Sequence, residues 1–150
     1  MDRSHTSRPI TFTLPLMLNG FEYKFKIMSR YEKGKEVLEG IQQRTVEEIF
    51  EGIEDIAPDM SRFVVEFPYA EIYTREEVDL KTRELCTVAA LTTLGTIPQL
   101  KEHINAALNV GNTPTEIVEI IMQMSAYCGF PKSINGVVVA KEVFTERDIL

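Results

Sequence analysis

The chain has no tryptophan and only two histidines and two cysteines among its 150 residues. Two cysteines are too few for the disulfide framework of a small secreted protein, which favours a reducing compartment. Cys86, Cys128 and one histidine in the body of the chain match no zinc-binding spacing, so the sequence predicts no metal ion. His5 lies in a polar stretch, which leaves His103 as the histidine placed to move protons at neutral pH.

Long apolar runs and basic runs are also missing. No stretch reaches the roughly 20 apolar residues of a membrane-spanning helix, and residues 1–27 lack the apolar core of a signal peptide. The formal net charge of −7 comes from acidic residues spread along the chain, which argues against binding nucleic acid or an anionic membrane. We therefore expect a cytoplasmic protein, in which a small anionic organic substrate would need a local basic pocket.

The chain divides into an N-terminal extension and one helical domain. Residues 1–27 combine a polar tail with an alternating segment, residues 10–27, around Asn19-Gly20, a dipeptide that favours a β-hairpin, although Pro15 weakens its first arm. Residues 28–150 are enough for one domain with a buried core. For this domain we predict an all-α fold, an antiparallel bundle of about six to seven helices.

Apolar residues three or four apart predict the individual helices. The predicted ranges are residues 31–41, 46–56, 60–73 with Pro68 ending or kinking the helix, 79–95 and 98–110, followed by a helix from 113 and one after 131. Thr113-Pro114-Thr115-Glu116 is a capping-box start. The last two helices are apolar on most sides, so we expect a closed symmetric homo-oligomer to cover them.

Glu84 and His103 are the leading candidates for acid–base chemistry. Each lies beside the apolar face of its predicted helix, and two titratable groups on adjacent antiparallel helices can meet. Two plainer interpretations stay open. Glu84 could be a partly exposed carboxylate paired with Arg83, Lys81 or a neighbouring chain, and His103 could be a hydrogen-bonded packing residue.

Arginine and tyrosine side chains supply the candidate binding groups. Arg83 and Arg75 are candidates for holding a carboxylate, because a guanidinium group offers a planar fork of donors. Solvation at the surface is the alternative, and the acidic run around Arg75 favours it there. Tyr73 and Tyr127 could donate a hydrogen bond to a developing oxyanion, or they could fill core space.

The two cysteines are 42 positions apart, which gives no sign of a redox pair. Buried cysteines commonly pack as small apolar residues. We expect that role for Cys86, whereas Cys128, next to Tyr127, is retained as a candidate substrate contact. The sequence has no Gly-rich phosphate loop, nucleophile elbow or dinucleotide fingerprint, so a nucleotide cofactor has no support.

Several ordered motifs span the chain from about residue 31 to residue 144. They are Arg30-Tyr31-Glu32-Lys33-Gly34, Glu71-Ile72-Tyr73-Thr74-Arg75, Leu80-Lys81-Thr82-Arg83-Glu84-Leu85, Gln99-Leu100-Lys101-Glu102-His103, Ala106-Ala107-Leu108-Asn109 and Tyr127-Cys128-Gly129-Phe130-Pro131. Together they resemble the carboxymuconolactone decarboxylase family, which includes the alkylhydroperoxidase-D-like proteins. The resemblance implies an all-helical fold that assembles into trimers or hexamers.

The two branches of that family differ in their site residues. In the peroxidase branch the histidine ends a Cys-x-x-Cys-x-x-x-His motif, but here Thr96 and Gln99 stand at the two cysteine positions before His103. A thiol relay needs both cysteines, so it cannot operate in that form, although Glu84 matches the acidic residue of that branch. The decarboxylase branch is similar around residues 73–75, 83, 103 and 127–131, but it has Trp at the position of Tyr73 and Ser at that of Glu84.

The resemblance to the decarboxylase branch implies a reaction that needs no metal or organic cofactor, because the substrate lactone is itself the electron sink. Such a site needs a cation, a donor at the carbonyl oxygen, an apolar wall and one proton donor. We assign Arg83 as the cation, Tyr127 or Tyr73 as the oxyanion donor, and His103 as the acid. Glu84 would orient or reprotonate His103.

We therefore predict a decarboxylase-like enzyme that acts on a small carboxylated lactone. Two alternatives remain: a thiol-dependent hydroperoxidase (peroxiredoxin-type activity) that uses Cys128, and a non-catalytic oligomeric binding protein that has kept the fold.

Overall fold

Two short strands precede the helical body. In the computed structural model the described residues are 16–18, 21–23 and 28–150. Strands β1 (Leu16–Leu18) and β2 (Phe21–Tyr23) pair antiparallel, with Leu16 opposite Tyr23 and Leu18 opposite Phe21. This pairing agrees with the predicted hairpin, while Pro15 and the rest of residues 10–27 lie outside the described residues.

Residues 28–150 are mainly helical, which confirms the predicted all-α fold. In chain order the elements are α1 (Arg30–Gln42), α2 (Val46–Ile49), α3 (Met60–Val64), a π-helical segment (Val65–Ile72, the π segment), α4 (Leu80–Leu94), α5 (Ile97–Asn109), α6 (Pro114–Gln123), α7 (Ser125–Cys128) and α8 (Phe130–Glu146). Within residues 28–150, no helix is long and apolar enough to cross a membrane.

Side-chain caps set the ends of the helices near the site. The Asp79 carboxylate accepts a hydrogen bond from the Thr82 N–H at 2.7 Å, and Gly95 ends α4 with a positive φ of 78°. Thr113 and Glu116 form the reciprocal capping box predicted for the start of α6. These caps satisfy backbone groups that a helix leaves unpaired, so the predicted boundaries of α4 and the predicted start of α6 are confirmed.

The predicted second helix, residues 46–56, is wrong in length. α2 ends at Ile49, and turns occupy residues 50–59. Gly52 has a φ of +88°, a left-handed conformation that ends a right-handed helix. The apolar spacing of Ile49, Phe50 and Ile53 reflects instead that these residues line a cavity beside α1.

The predicted third helix changes its hydrogen-bond period in the middle. α3 gives way at Val65 to the π segment, where the Tyr73 N–H donates to the Pro68 carbonyl at 2.9 Å. Proline cannot donate a backbone hydrogen bond, and the wider π spacing accommodates it inside the segment. Of the two effects expected of Pro68, an end or a kink, the end is wrong because the helix continues to Ile72.

Two core clusters meet at α5. Leu100, Ile104 and Ala107 of α5 belong to a cluster formed with α4, α6 and α8. Ala106 of the same helix belongs to a second cluster, formed with α1, α2 and the π segment. α5 therefore lies between the two halves of the core, and His103 is carried on the helix that joins them.

Apolar residues remain exposed on the α6–α8 side of the chain. They include Met122, Tyr127, Phe130, Ile134 and Val138. One chain therefore leaves part of the last two long helices uncovered, as the sequence led us to expect. The predicted trimer or hexamer, which would cover such residues, stays a prediction.

Candidate functional site

Glu84 and His103 form a hydrogen-bonded pair between α4 and α5. Their Oε2 and Nδ1 atoms are 2.8 Å apart. The Glu84 side chain is 0% exposed and the His103 side chain 19% exposed. With Glu84 ionised, the His103 Nδ1–H donates to it, which leaves Nε2 as the ring nitrogen that can act on a ligand. The alternative of a partly exposed Glu84 is wrong.

The pattern of α4 explains why a carboxylate is buried there. Glu84, Val88 and Thr92 follow one another at intervals of four residues, and all three are buried. Positions four apart share one face of a helix, so Glu84 belongs to the buried stripe itself rather than to its margin. Its second oxygen, Oε1, is buried and accepts no hydrogen bond from the part of the chain that the structure describes. His103 is thus the residue hydrogen-bonded to Glu84 Oε2, and the nearby Tyr73 hydroxyl interacts with the same carboxylate.

Two tyrosines lie close to this pair: Tyr69, buried in the π segment, and the half-buried Tyr73, which directly follows that segment. The rings of Tyr69 and Tyr73 have centroids 4.9 Å apart. Burial, and then the negative charge of Glu84, raise the pKa of Tyr69 to about 12, with a hydrogen bond from the Gln42 side chain acting in the opposite direction. The same two causes raise the pKa of Tyr73, whose hydroxyl lies 3.0 Å from the Thr87 Oγ1. Both phenols therefore keep their protons near neutral pH and can donate hydrogen bonds.

His103 lines a cavity of about 400 Å³. The apolar wall consists of Leu38, Ile49, Phe50, Ile53, Val64 and Pro98, and the polar lining consists of Gln42, Tyr69, Gln99, Glu102 and His103. A mostly apolar cavity with a few polar groups is the usual form of a site for a small organic ligand, and this volume is within the usual range. A larger and more open depression of about 570 Å³ is lined by Met28, Glu32, Lys35, Glu36 and Glu39, a largely acidic set that does not suit an anion.

The two predicted arginines do not line this cavity. The Arg83 guanidinium donates to the Val78 carbonyl at 3.0 Å and to the Arg75 carbonyl at 3.1 Å, so it fastens the turn before α4. The Arg75 side chain is exposed and lies 3.3 Å from the Glu77 carboxylate. Within one chain, Arg83 and Arg75 are thus engaged away from the Glu84–His103 pair.

Tyr127 and Cys128 lie on α7, also outside this cavity. Tyr127 is 76% exposed, and the Cys128 thiol donates to the Met124 carbonyl at 3.2 Å. Cys86 is exposed, which corrects the expectation that it packs in the core. The reason is helix geometry, because Cys86 is two residues from Glu84 and so faces away from the buried stripe.

Gln42 and Tyr69 line the same cavity as His103 but were not predicted as site residues from the sequence. Gln42, at the end of α1, is only 8% exposed, and Tyr69 is 5% exposed in the π segment. One signal was available for Gln42: it follows the buried Leu38 by four positions, and a polar residue on such a stripe usually has a specific partner. Tyr69 gave no such signal, because an aromatic residue on an apolar face is normally a core residue.

Comparison with known proteins identifies the family of this chain. The sequence model of the carboxymuconolactone decarboxylase family matches residues 58–142, which include Tyr69, Glu84 and His103. The chain belongs to this family. It is 34% identical over 121 residues to the 4-carboxymuconolactone decarboxylase of Acinetobacter baylyi, a match that covers 80% of this chain and 90% of that protein.

Two further relatives have lower sequence identity to this chain. An uncharacterised 15.0 kDa protein of Paracoccus denitrificans is 30% identical over 134 residues, covering 88% of this chain and 98% of that protein. The nitrosuccinic acid decarboxylase of Metarhizium robertsii is 26% identical over 83 residues, covering 55% of this chain and 58% of that protein. Two of these three relatives are thus named as decarboxylases.

Proposed function

We propose that this protein is a cofactor-free carboxy-lyase that removes CO2 from a small carboxylated lactone of the 4-carboxymuconolactone type. The observation that carries the proposal is the Glu84–His103 pair, in which His103 lines a largely apolar cavity and Glu84 is buried behind it. Family membership and two relatives named as decarboxylases support the reaction class.

Bond breaking would take place against the apolar wall of the cavity. The bond between the ring carbon and its carboxylate breaks, CO2 leaves, and the electron pair moves through the ring toward the lactone carbonyl oxygen. A poorly solvated carboxylate leaves as CO2 more readily. The reason is that apolar surroundings destabilise its localised charge more than the dispersed charge of the dienolate that forms. Leu38, Phe50 and Val64 are part of that wall.

A neutral phenol is available to stabilise the negative charge on the carbonyl oxygen. Tyr69 lines the cavity and keeps its proton, since its pKa is raised to about 12. A donor aimed at a developing oxyanion is among the strongest contributions that a site can make to catalysis. We assign this role to Tyr69, with Tyr73 behind it against Thr87. The roles predicted for Arg83, Tyr127 and Cys128 would require a neighbouring subunit.

His103 would complete the reaction by protonating carbon. In its protonated form it donates the Nε2 proton to the dienolate, while the Nδ1–H stays bonded to Glu84 and holds the ring in place. A proton from solvent then restores His103. Each turnover consumes one proton and releases one CO2, and no electrons are exchanged with a redox partner.

The test is CO2 release from 4-carboxymuconolactone by the purified protein in the presence of a metal chelator. The matched control is the same lactone without its ring carboxylate. We expect one CO2 per lactone consumed from the first compound and none from the second. Absence of CO2 release, together with peroxide consumption that Cys128→Ser abolishes, would instead establish the thiol-dependent alternative.

A further inference from the structure

A second, polar cleft adjoins the cavity that His103 lines. Its volume is about 410 Å³, and it shares two lining residues, Gln42 and Glu102, with that cavity. The geometry of α5 explains the arrangement. Glu102, Asn105 and Asn109 lie at intervals of three and four residues, so they share one face, while His103 lies on the adjoining one. A ligand in the cavity could therefore extend past Gln42 into the cleft.

The cleft contains a guanidinium group held by neutral oxygens. The Arg147 Nη1 donates to Asn109 Oδ1 at 2.9 Å and to both the carbonyl and the Oδ1 of Asn105 at 3.3 Å. Asn109 is itself fixed, because its Nδ2 donates to the Ile41 carbonyl at 2.9 Å. Among the described residues, no carboxylate forms an ion pair with Arg147. The Arg147 side chain is thus oriented in advance, but its charge is not neutralised.

The other charges of the cleft compensate one another. Arg44 pairs with Glu102 at 2.9 Å, and Lys101 pairs with Glu146 at 2.6 Å. Arg147 is left over among the residues that line the cleft, while Glu146, and with it the nearby Glu142 outside the lining, raises the pKa of Lys101. The cleft thus meets the need of an anionic substrate for a local basic site.

We propose that this cleft is a carboxylate-binding subsite, with Arg147 as its anchor and Gln42 at its junction with the cavity. The ligand would be a small ring compound with two carboxylates, one in the cavity and one on a short arm that reaches Arg147. This inference rests on the proposed function for the ring and the departing carboxylate. It adds that the arm carboxylate is bound and retained.

The two subsites would decide which carboxylate leaves. The cavity is largely apolar, and its described lining includes no lysine or arginine. A carboxylate placed there is poorly stabilised, whereas one paired with Arg147 keeps its charge in a favourable setting. The reaction would therefore remove the carboxylate in the cavity.

The test compares binding of two probes by calorimetry. The first is a saturated, non-reacting lactone with a ring carboxylate and a carboxymethyl arm, and the second is the same lactone with a methyl group in place of the arm. The proteins are the wild type, Arg147→Gln, Arg147→Lys and the control Lys141→Gln, which removes one exposed charge of α8. Thermal unfolding of each variant checks that it is folded.

We expect Arg147→Gln to weaken binding of the dicarboxylate roughly 10- to 100-fold and that of the monocarboxylate less than about 3-fold, because a charge-assisted, bidentate contact is lost only with the first. Arg147→Lys should lie between Arg147→Gln and the wild type, and Lys141→Gln should match the wild type. Equal losses for both probes, no loss for either, or failure of the dicarboxylate to bind the wild type would overturn the subsite.

Failure of the proposed function would look different. Suppose that the wild type bound the dicarboxylate but released no CO2 from any carboxylated lactone, and that Arg147→Gln weakened dicarboxylate binding as expected. The subsite would then stand, and the proposed reaction would be wrong.

Discussion

At the scale of single residues, the site is defined by a buried carboxylate that is hydrogen-bonded to a histidine. Glu84 is fully buried and meets His103 at 2.8 Å, while its second oxygen accepts no hydrogen bond from a described residue. A buried charge is costly unless it is compensated, and such groups persist mainly where they serve a function. The charge of Glu84 should therefore matter more to turnover than to stability.

The first prediction concerns that charge. Glu84→Gln keeps the size of the side chain and an acceptor for the His103 Nδ1–H, but it removes the negative charge. We expect kcat for CO2 release to fall on the order of 10- to 100-fold, because the protonated imidazole loses its counter-charge. Thermal unfolding should show no loss of stability. An unchanged kcat would show that Glu84 has only a packing role.

The second prediction follows from the raised pKa of Tyr69. The folded protein keeps this phenol protonated up to a pKa of about 12, whereas the unfolded chain releases the proton near pH 10. Above pH 10 the unfolded state binds fewer protons than the folded state. The free energy of unfolding should therefore be unaffected by Tyr69 below pH 10 and fall as the pH rises from 10 to 12, by roughly 3 kcal/mol in total.

Denaturant unfolding at several alkaline pH values measures this effect. Tyr69→Phe should reduce the alkaline loss of stability, and Tyr73→Phe should act in the same direction, because burial raises the pKa of that phenol too. An alkaline loss as steep in Tyr69→Phe as in the wild type would contradict the buried, neutral phenol.

The sequence predicted part of the site at this scale. The contact between Glu84 and His103 could be predicted because the sequence places both residues next to the apolar faces of adjacent helices. The contributions of Tyr69 and Gln42 could not, because a side chain on an apolar face shows nothing about the cavity next to it. Arg83 was assigned to substrate from its chemistry and from the resemblance to the decarboxylase branch, but the structure shows its guanidinium donating to two backbone carbonyls.

At the scale of secondary-structure elements, the packing of α1 against the π segment positions Gln42 and Tyr69. Gly34 permits the close approach, since a Cβ atom there would lie 2.1 Å from the Val65 carbonyl oxygen. The sequence predicted a helix over residues 60–73 but not its π-helical hydrogen bonding. Apolar residues spaced three or four apart fit an α-helix and a short π-helical segment equally well, and only Pro68 indicated an irregularity.

The third prediction tests this contact. Gly34→Ala should lower the free energy of unfolding by about 1–3 kcal/mol, because the new methyl group forces two backbones apart. The matched control is Gly40→Ala in the same helix, where a Cβ would meet no atom within 4 Å. The control should be neutral or more stable by about 0.5–1 kcal/mol, since alanine favours helix. Equal stability of the two variants in denaturant unfolding would contradict the close packing.

At the scale of the whole molecule, the site lies where two core clusters meet. α5 contributes Ile104 to one cluster and Ala106 to the other, and His103 directly precedes Ile104 in the sequence. Periodicity predicted most helices and the all-α class, but it could not show which helices of the N-terminal half pack against α5. Tyr127 is among the exposed apolar residues of α6–α8, so the roles predicted for Tyr127 and Cys128 stay tied to the predicted homo-oligomer.

The most direct measurement is CO2 release from 4-carboxymuconolactone by His103→Ala beside the wild type, at equal oligomeric state. Removing a general acid typically lowers the rate about 10²- to 10⁴-fold. If His103 is that acid, CO2 release should fall by at least about 100-fold while the protein remains folded. A variant that releases CO2 as fast as the wild type would show that another group protonates the product and would contradict the proposed role of the Glu84–His103 pair.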